Sequence, residues 1–318
     1  MIRSHQFYLR VRRYIGIGGV LIILFIFLSI TQATFLTKEN LINILRASSI
    51  IFILAMGCTF NMLTAGFDLS VESEVALSGL ILAVLLHAGV PAWPAIFLVL
   101  LIGAFLGFTI NGLLIGKLRV SFFVVTLGTM IIYRSTVYVC TNGKTIYIDK
   151  WPVIRAMADG VLWGIPIPFY LMLLVFVASY VVLKHTTYGK SVYGVGGNRA
   201  AAILSGINAG LVEASVYGIS SFLAALAGIL QAGRLAAASP VAGTGIALQV
   251  AAVVLLGGTS FSGGIGGVVG TVLGVFFLSI LENGLGVAGV STFWQGVITG
   301  AILITAVIFD TLQTRRRV

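Results

Sequence analysis

The chain has 318 residues, 59% of them hydrophobic and 9% charged, with a mean hydropathy of +1.11. A soluble domain carries about 25% charged residues, so this composition cannot clothe a water-facing surface, and a soluble protein is excluded. The net charge of +10 is spread over gaps between apolar runs instead of forming a patch, which argues against nucleic acid as a partner.

A membrane-crossing helix needs about 20 apolar residues. The chain is read as an all-α polytopic membrane protein, one domain over 1–318, with ten spans near 14–31, 44–65, 71–89, 94–116, 121–140, 165–183, 212–233, 245–259, 265–284 and 292–310. The first run follows a basic tail and imitates a signal peptide, but is expected to be an uncleaved helix. Arg3, Arg10, Arg12 and Arg13 precede it. Lys117 and Arg119, then Lys184, Lys190 and Arg199, then Arg315, Arg316 and Arg317 fall on the same face of a ten-span topology. The positive-inside rule makes that face the cytoplasm, with both termini there.

After the second span comes Ala65–Gly79, which concentrates Asp68, Glu72 and Glu74 in a chain with nine acids. Acids at a membrane edge suggest function. The alternative is that Asp68 and Ser70 cap the third helix. The longest outer loop, 141–164, holds Trp151 and Trp163, which suit the interfacial belt; it is either a periplasmic contact surface or a solvated connector.

The stretch Lys184–Gly210 turns polar, basic and then glycine-rich between two apolar runs. Asn198 is a good N-cap for a short helix reaching Ser205, with Gly206 and Gly210 as stops. Such a helix at the water face is either a docking element for a soluble partner or an ordinary loop. Between spans eight and nine, Leu255–Gly270 is rich enough in glycine for irregular backbone, which lipid tolerates only where protein or a cavity covers it. Spans 2–5 and 7–10 are expected to form an inverted repeat.

Motifs of soluble chemistry fail on inspection. Gly284–Gly289 matches GxGxxG but follows a span, not a strand, and Gly264 stands where a phosphate loop needs lysine. His5, His87 and His185 form no triad or ligand set, and Cys58 and Cys140 no metal site. No catalytic residue and no metal are expected. The pairs Gly103/Gly107, Gly112/Gly116, Gly266/Gly270, Gly270/Gly274 and Gly296/Gly300 suit close helix packing, within the subunit or at a dimer seam. Asn61, Asn111, Thr126, Gln249 and Asn283 either hydrogen-bond a sugar along a path or bond one another. Phe60, Phe122 and Phe123 either stack on it or face lipid and core.

Four stretches in order carry a resemblance. Ala65-Gly-Phe-Asp-Leu-Ser-Val-Glu-Ser73 is similar to G-G-I-D-L-S-V-G-S, with Phe67 and Glu72 departing from it. Ser121-Phe-Phe-Val-Val-Thr-Leu-Gly-Thr129 resembles P-A-F-I-V-T-L-G-T without its proline. Gly196-Gly197-Asn198, Ala201-Ala202 and Ser205-Gly206-Ile207 match G-G-N-x-x-A-A-x-x-S-G-I. The fourth runs from Leu256-Gly-Gly to Asn283-Gly-Leu, Phe293-Trp294-Gln295 and Gly300. The chain resembles, over nearly its whole length, the permease subunits of bacterial ribose/xylose-type ABC sugar importers.

That resemblance implies a type II importer-like bundle in the inner membrane that moves a monosaccharide without chemistry on it. It implies an ATPase subunit that binds ATP and Mg, a periplasmic or lipid-anchored binding protein, and a second permease, identical or not. Within the cytoplasmic segment 184–211, Gly196, Gly197, Asn198, Ala201, Ala202, Ser205, Gly206 and Ile207 would form the coupling helix. Phe60, Asn61, Asp68, Ser70, Asn111, Thr126, Gln249 and Asn283 are the expected path or gating residues. The rivals are a nucleoside or sugar-like signalling molecule as cargo and, in another class, a self-sufficient secondary transporter or channel.

Overall fold

The computed structural model describes the backbone of residues 2–315 and the side chains of 16–312. The terminal basic side chains Arg3, Arg10, Arg12, Arg13 and Arg315–Arg317, on which the expected orientation leans, lie outside the described side chains, as does His5.

A helix answers each of the ten expected spans. They are α1 (Ile2–Thr31), α2 (Lys38–Leu63), α3 (Val71–His87), α4 (Ala92–Leu106) continuing through a π-helical turn at Gly107–Gly112 into α5 (Leu113–Gly116), and α6 (Phe122–Thr141). Then follow α8 (Ile167–His185), α11 (Ala209–Leu235), α12 (Ile246–Leu256), α13 (Val268–Val287) and α14 (Thr292–Arg315). Among the described residues, seven of these are long and apolar enough to cross a membrane by themselves; Gly16–Thr31 and Ile246–Leu256 are apolar but shorter. α3 has 17 residues and carries two acids in its first turn.

Strands break the all-α expectation only locally. In the 141–164 loop, α7 (Pro152–Asp159) is joined by β1 (Ile146–Tyr147), β2 (Val161–Leu162) and β3 (Ile165–Pro166). β2 pairs with β3, and β1 pairs antiparallel with β4 (Ala237–Ala238), which stitches this loop to the end of α11. Arg46 of α2 reinforces the join through the Asp159 carbonyl at 2.9 Å and its carboxylate at 3.4 Å.

The organising element is α11. Its 27 residues rise about 40 Å, and most of its length is buried against α2, α3 and α4. Small residues let the neighbours approach. A Cβ on Gly107 would fall 2.3 Å from Ser221 Oγ, on Gly112 2.5 Å from the Ala214 carbonyl, and on Gly116 2.3 Å from the Gly210 carbonyl. The Gly103/Gly107 and Gly112/Gly116 pairs therefore pack inside the subunit. Gly274 packs likewise on α12, 2.1 Å from the Val253 carbonyl by the same construction. A Cβ on Gly296 or Gly300 would meet nothing within 4 Å among the described residues.

Two segments differ from expectation in a shared way. α3 starts well inside the bundle: a Cβ on Gly228, past the middle of α11, would meet the Val75 carbonyl at 2.6 Å. α12 has only 11 residues, about 16 Å. Before each lies irregular backbone, 64–70 after α2 and 236–245 after α11. The irregular stretch after α11 that corresponds to 64–70 after α2 is 236–245, while the glycine-rich 255–270 turn packs directly against the end of α2, Gly264 N–H donating to the Leu63 carbonyl at 2.9 Å. Gly66–Asp68 and Ser70 of the first turn and Ala237, Ala238 and Pro240 of the second are buried, whereas Ala65, Val241, Thr244 and Gly245 are exposed.

Candidate functional site

One end of the bundle carries a compact polar layer, and its local chemistry is readable. α8 stops at Thr186, whose hydroxyl accepts from the Gly189 N–H at 3.1 Å and starts a further helix, α9 (Thr187–Gly197). In sequence this stretch is polar, basic and glycine-rich, and its glycines disfavour helix. The packing explains them: a Cβ on Gly189 would sit 2.3 Å from the Val182 carbonyl, and one on Gly196 1.7 Å from the Leu63 carbonyl. Tyr193 Oη donates to the Gly266 carbonyl at 3.0 Å, and Gly264 N–H to Leu63 at 2.9 Å. Tyr188 and Ser215 hydroxyls meet at 2.6 Å, and burial raises the Tyr188 phenol pKa, keeping it neutral. α9 thereby joins the ends of α2, α11 and the 257–267 turn.

α10 (Arg199–Leu204) follows at once. Asn198 caps it as expected, its Oδ1 accepting from Ala201 N–H at 2.9 Å. Gly206, at φ +83°, ends it, and Ile207 N–H closes onto the Ala202 carbonyl at 3.0 Å. Gly210 is no stop; it lies in the first turn of α11. Asn198, Ala201, Ser205 and Gly206 are exposed, Gly196 and Ile207 half-buried, and Gly197 exposed. Ala202 is buried beneath the helix, so it anchors α10 instead of shaping its outer surface. The apolar tip is Ile203 and Leu204, the latter 89% exposed, and neither residue was singled out from sequence.

Behind α10 stands an ionic joint that sequence reasoning missed. Glu213 of α11, 8% exposed, receives Arg199 Nε at 2.8 Å and Nη2 at 3.2 Å, and Arg119 Nη1 at 3.4 Å. Arg199 Nη2 also reaches the Gly116 carbonyl at 3.4 Å. A cavity of about 370 Å³ lies here, bordered by Thr64, Arg119, Phe122, Asn198, Glu213 and Tyr217. An acid inside the predicted span 212–233 was the available signal.

The expected path residues do not form one cluster. Asn111 joins the Asp68 turn: its Nδ2 donates to Ser70 Oγ at 2.8 Å and Asp68 Oδ1 at 3.4 Å. Ser70 N–H and Oγ donate to the same Asp68 oxygen at 2.9 and 2.5 Å. Ser70 makes no side-chain cap bond to α3, and Asp68 folds the turn before the helix, so the simple capping role is replaced. Asn61 and Phe60 are buried in α2. Thr126 bonds the Phe122 carbonyl on its own helix at 2.8 Å; Phe123 is exposed. Asn283 exchanges bonds with Asn40 at 3.0 and 2.8 Å, a lock between α13 and α2. Gln249 donates to both oxygens of Glu282, each at 2.7 Å, with Thr299 at 3.4 Å.

Two tethers complete the picture. Arg134 of α6 donates to the carbonyls of Pro240 and Ala242 at 2.5 and 2.8 Å and of Glu72 at 3.1 Å. It clasps the 236–245 turn to the start of α3. Asp310 of α14 accepts from Ser260 Oγ at 3.0 Å and Phe261 N–H at 3.2 Å, fixing the 257–267 turn. Phe67 meets Phe261 edge-on, ring centres 5.8 Å apart. Among the described residues, no His/Cys/Asp/Glu group has the arrangement of a metal site.

Comparison with known proteins matches residues 40–307 to the family described as branched-chain amino acid transport system, permease component. The ribose import permease protein RbsC of Haemophilus influenzae is 39% identical over 91% of this chain and 90% of its own. The protein of the same name in Bacillus subtilis is 42% identical, with 91% and 90% covered. The galactose/methyl galactoside import permease protein MglC of Escherichia coli is 36% identical, with 96% of each covered. No solved structure matches the chain.

Proposed function

The chain belongs to this family of transport-system permease components, and from that premise we propose how it works. It is the membrane-spanning permease subunit of an ABC monosaccharide importer, a transport subunit and not itself the ATPase. The observation that carries this is identity of 36–42% to ribose and galactose permeases along at least nine-tenths of the chain. It outweighs the amino-acid wording of the family description, because it concerns whole relatives.

In our reading the polar end of the bundle is cytoplasmic, both termini lie there, and the membrane is the bacterial inner membrane. The loop 141–164 faces the periplasm and a binding protein. All ten helices traverse or enter the bilayer. The plan α2–turn–α3 against α11–turn–α12, a long helix and a broken-off shorter one in each case, supports an inverted repeat of spans 2–5 and 7–10. An ATPase subunit holding ATP and Mg supplies the energy, and a second permease completes the conduit.

Energy enters through α9 and α10. Ile203 and Leu204 are the docking tip; Asn198 and Gly206 fix its ends; Ala202 roots it. Displacement of α10 pulls Arg199, and through Glu213 the force reaches α11, about which the bundle is packed. The sugar forms no covalent bond, so the residues need only reshape a passage.

The test is association of the detergent-extracted chain with its ATPase. Leu204→Asp places a charge where the native side chain is 89% exposed, so folding stays intact. The expected result is loss of co-purification by at least tenfold. Undiminished assembly in the Leu204→Asp and Ile203→Asp double variant would remove α10 as the docking element.

A further inference from the structure

A membrane bundle is apolar where it meets lipid. The outer face of α4 obeys this, with Trp93, Phe97, Leu101 and Phe105 exposed. Another lateral face does not. Glu72 and Arg134 are only half-buried, and Ser135 and Thr244 are exposed. A groove of about 160 Å³ opens between Glu72, Arg134, Ser135, Met130 and Ile131.

The groove lies within the apolar layer. Arg134 stands twelve residues after the start of α6 and seven before its end, about 18 and 10 Å at the helical rise. Charged groups there are costly against hydrocarbon and mark water-filled paths. The irregular 236–245 backbone beside them obeys the same constraint.

The bonding inventory leaves capacity facing the groove. A guanidinium has five N–H donors. Three of Arg134's are spent on the Pro240, Ala242 and Glu72 carbonyls. Glu72 Oε2 accepts from Gly245 N–H at 3.0 Å, and Oε1 is not used by that bond. A carboxylate oxygen accepts from one hydroxyl, while a guanidinium N–H donates to the oxygen of the neighbouring hydroxyl. We infer that this groove is one wall of the substrate's path, and that Glu72 and Arg134 bind vicinal hydroxyls of the sugar as it passes. The inference rests on the sugar-permease reading. The related sequence pattern has glycine at the place of Glu72, so the carboxylate is a departure from that pattern.

The experiment uses the full complex, with ATPase and binding protein, in a Cys140→Ser background. Ser135→Cys is probed with a charged, membrane-impermeant methanethiosulfonate, and Leu101→Cys on the lipid face of α4 serves as control. Ser135→Cys is expected to react at least tenfold faster in one nucleotide state, and to be slowed by saturating sugar. Reaction as slow as Leu101→Cys in every state would overturn the path assignment. Glu72→Gln is then compared with the wild type in uptake of ribose, xylose, allose and galactose. A shift of at least threefold in the ratio between the two best sugars is expected, and an unchanged ratio would overturn the hydroxyl-reading role. Wild-type ATP-dependent uptake is scored separately: its absence for all four sugars refutes the sugar-permease reading itself, whatever the labelling shows.

Discussion

Glu213 joins the short helix at the end of the bundle to the helix at its centre, and it does so with two arginines from different segments. Removing one member of a buried charge cluster strands the others, whereas reversing a pair preserves attraction. Arg199→Glu and Glu213→Arg should each lower sugar moved per ATP hydrolysed, by fivefold or more, the range of a coupling energy of ~1–3 kcal/mol. The double reversal should recover much of the loss, read by parallel uptake and phosphate-release assays. Equal loss in the double variant would mean the pair holds structure only. Asn198 was legible from sequence, because capping is local chemistry between a side chain and the next turn. Glu213, Arg134 and Glu282 were not, because their partners are chosen by tertiary packing. Their one signal was charge inside apolar runs.

At the scale of elements, α11 is held by contacts too close for side chains. Gly112→Val would push a branched side chain into the Ala214 backbone. Overpacking of this kind costs about 1–3 kcal/mol, so a clear drop in thermal stability in detergent is expected. Gly128→Ala has open space around it and should leave the midpoint unchanged. A stable Gly112→Val protein would contradict the close packing of the π-helical turn on α11. The positions of the long apolar helices were legible from apolar length, since hydrophobic runs report helices directly. The π-turn and the packing of the start of α3 deep against α11 were not, because a broken helix keeps the same composition while its backbone finds cover in neighbours. α9 escaped notice because glycines that lower helix propensity are there to admit the Leu63 and Val182 carbonyls.

The whole molecule reads as a conduit moved from one end. Polar tethers sit at the α9–α10 end of the bundle, at the Asp68 turn and at the Arg134 clasp, and they connect segments that a moving α10 would have to carry together. The function was legible because four motifs in order outlast substitution, even where Glu72 and Phe67 depart from the pattern. The measurement that bears most directly on the account is reconstitution in liposomes, with and without the ATPase and binding protein. Sugar should accumulate against its gradient only when both companions and ATP are present. Accumulation by this polypeptide alone, with no nucleotide-hydrolysing subunit, would contradict it.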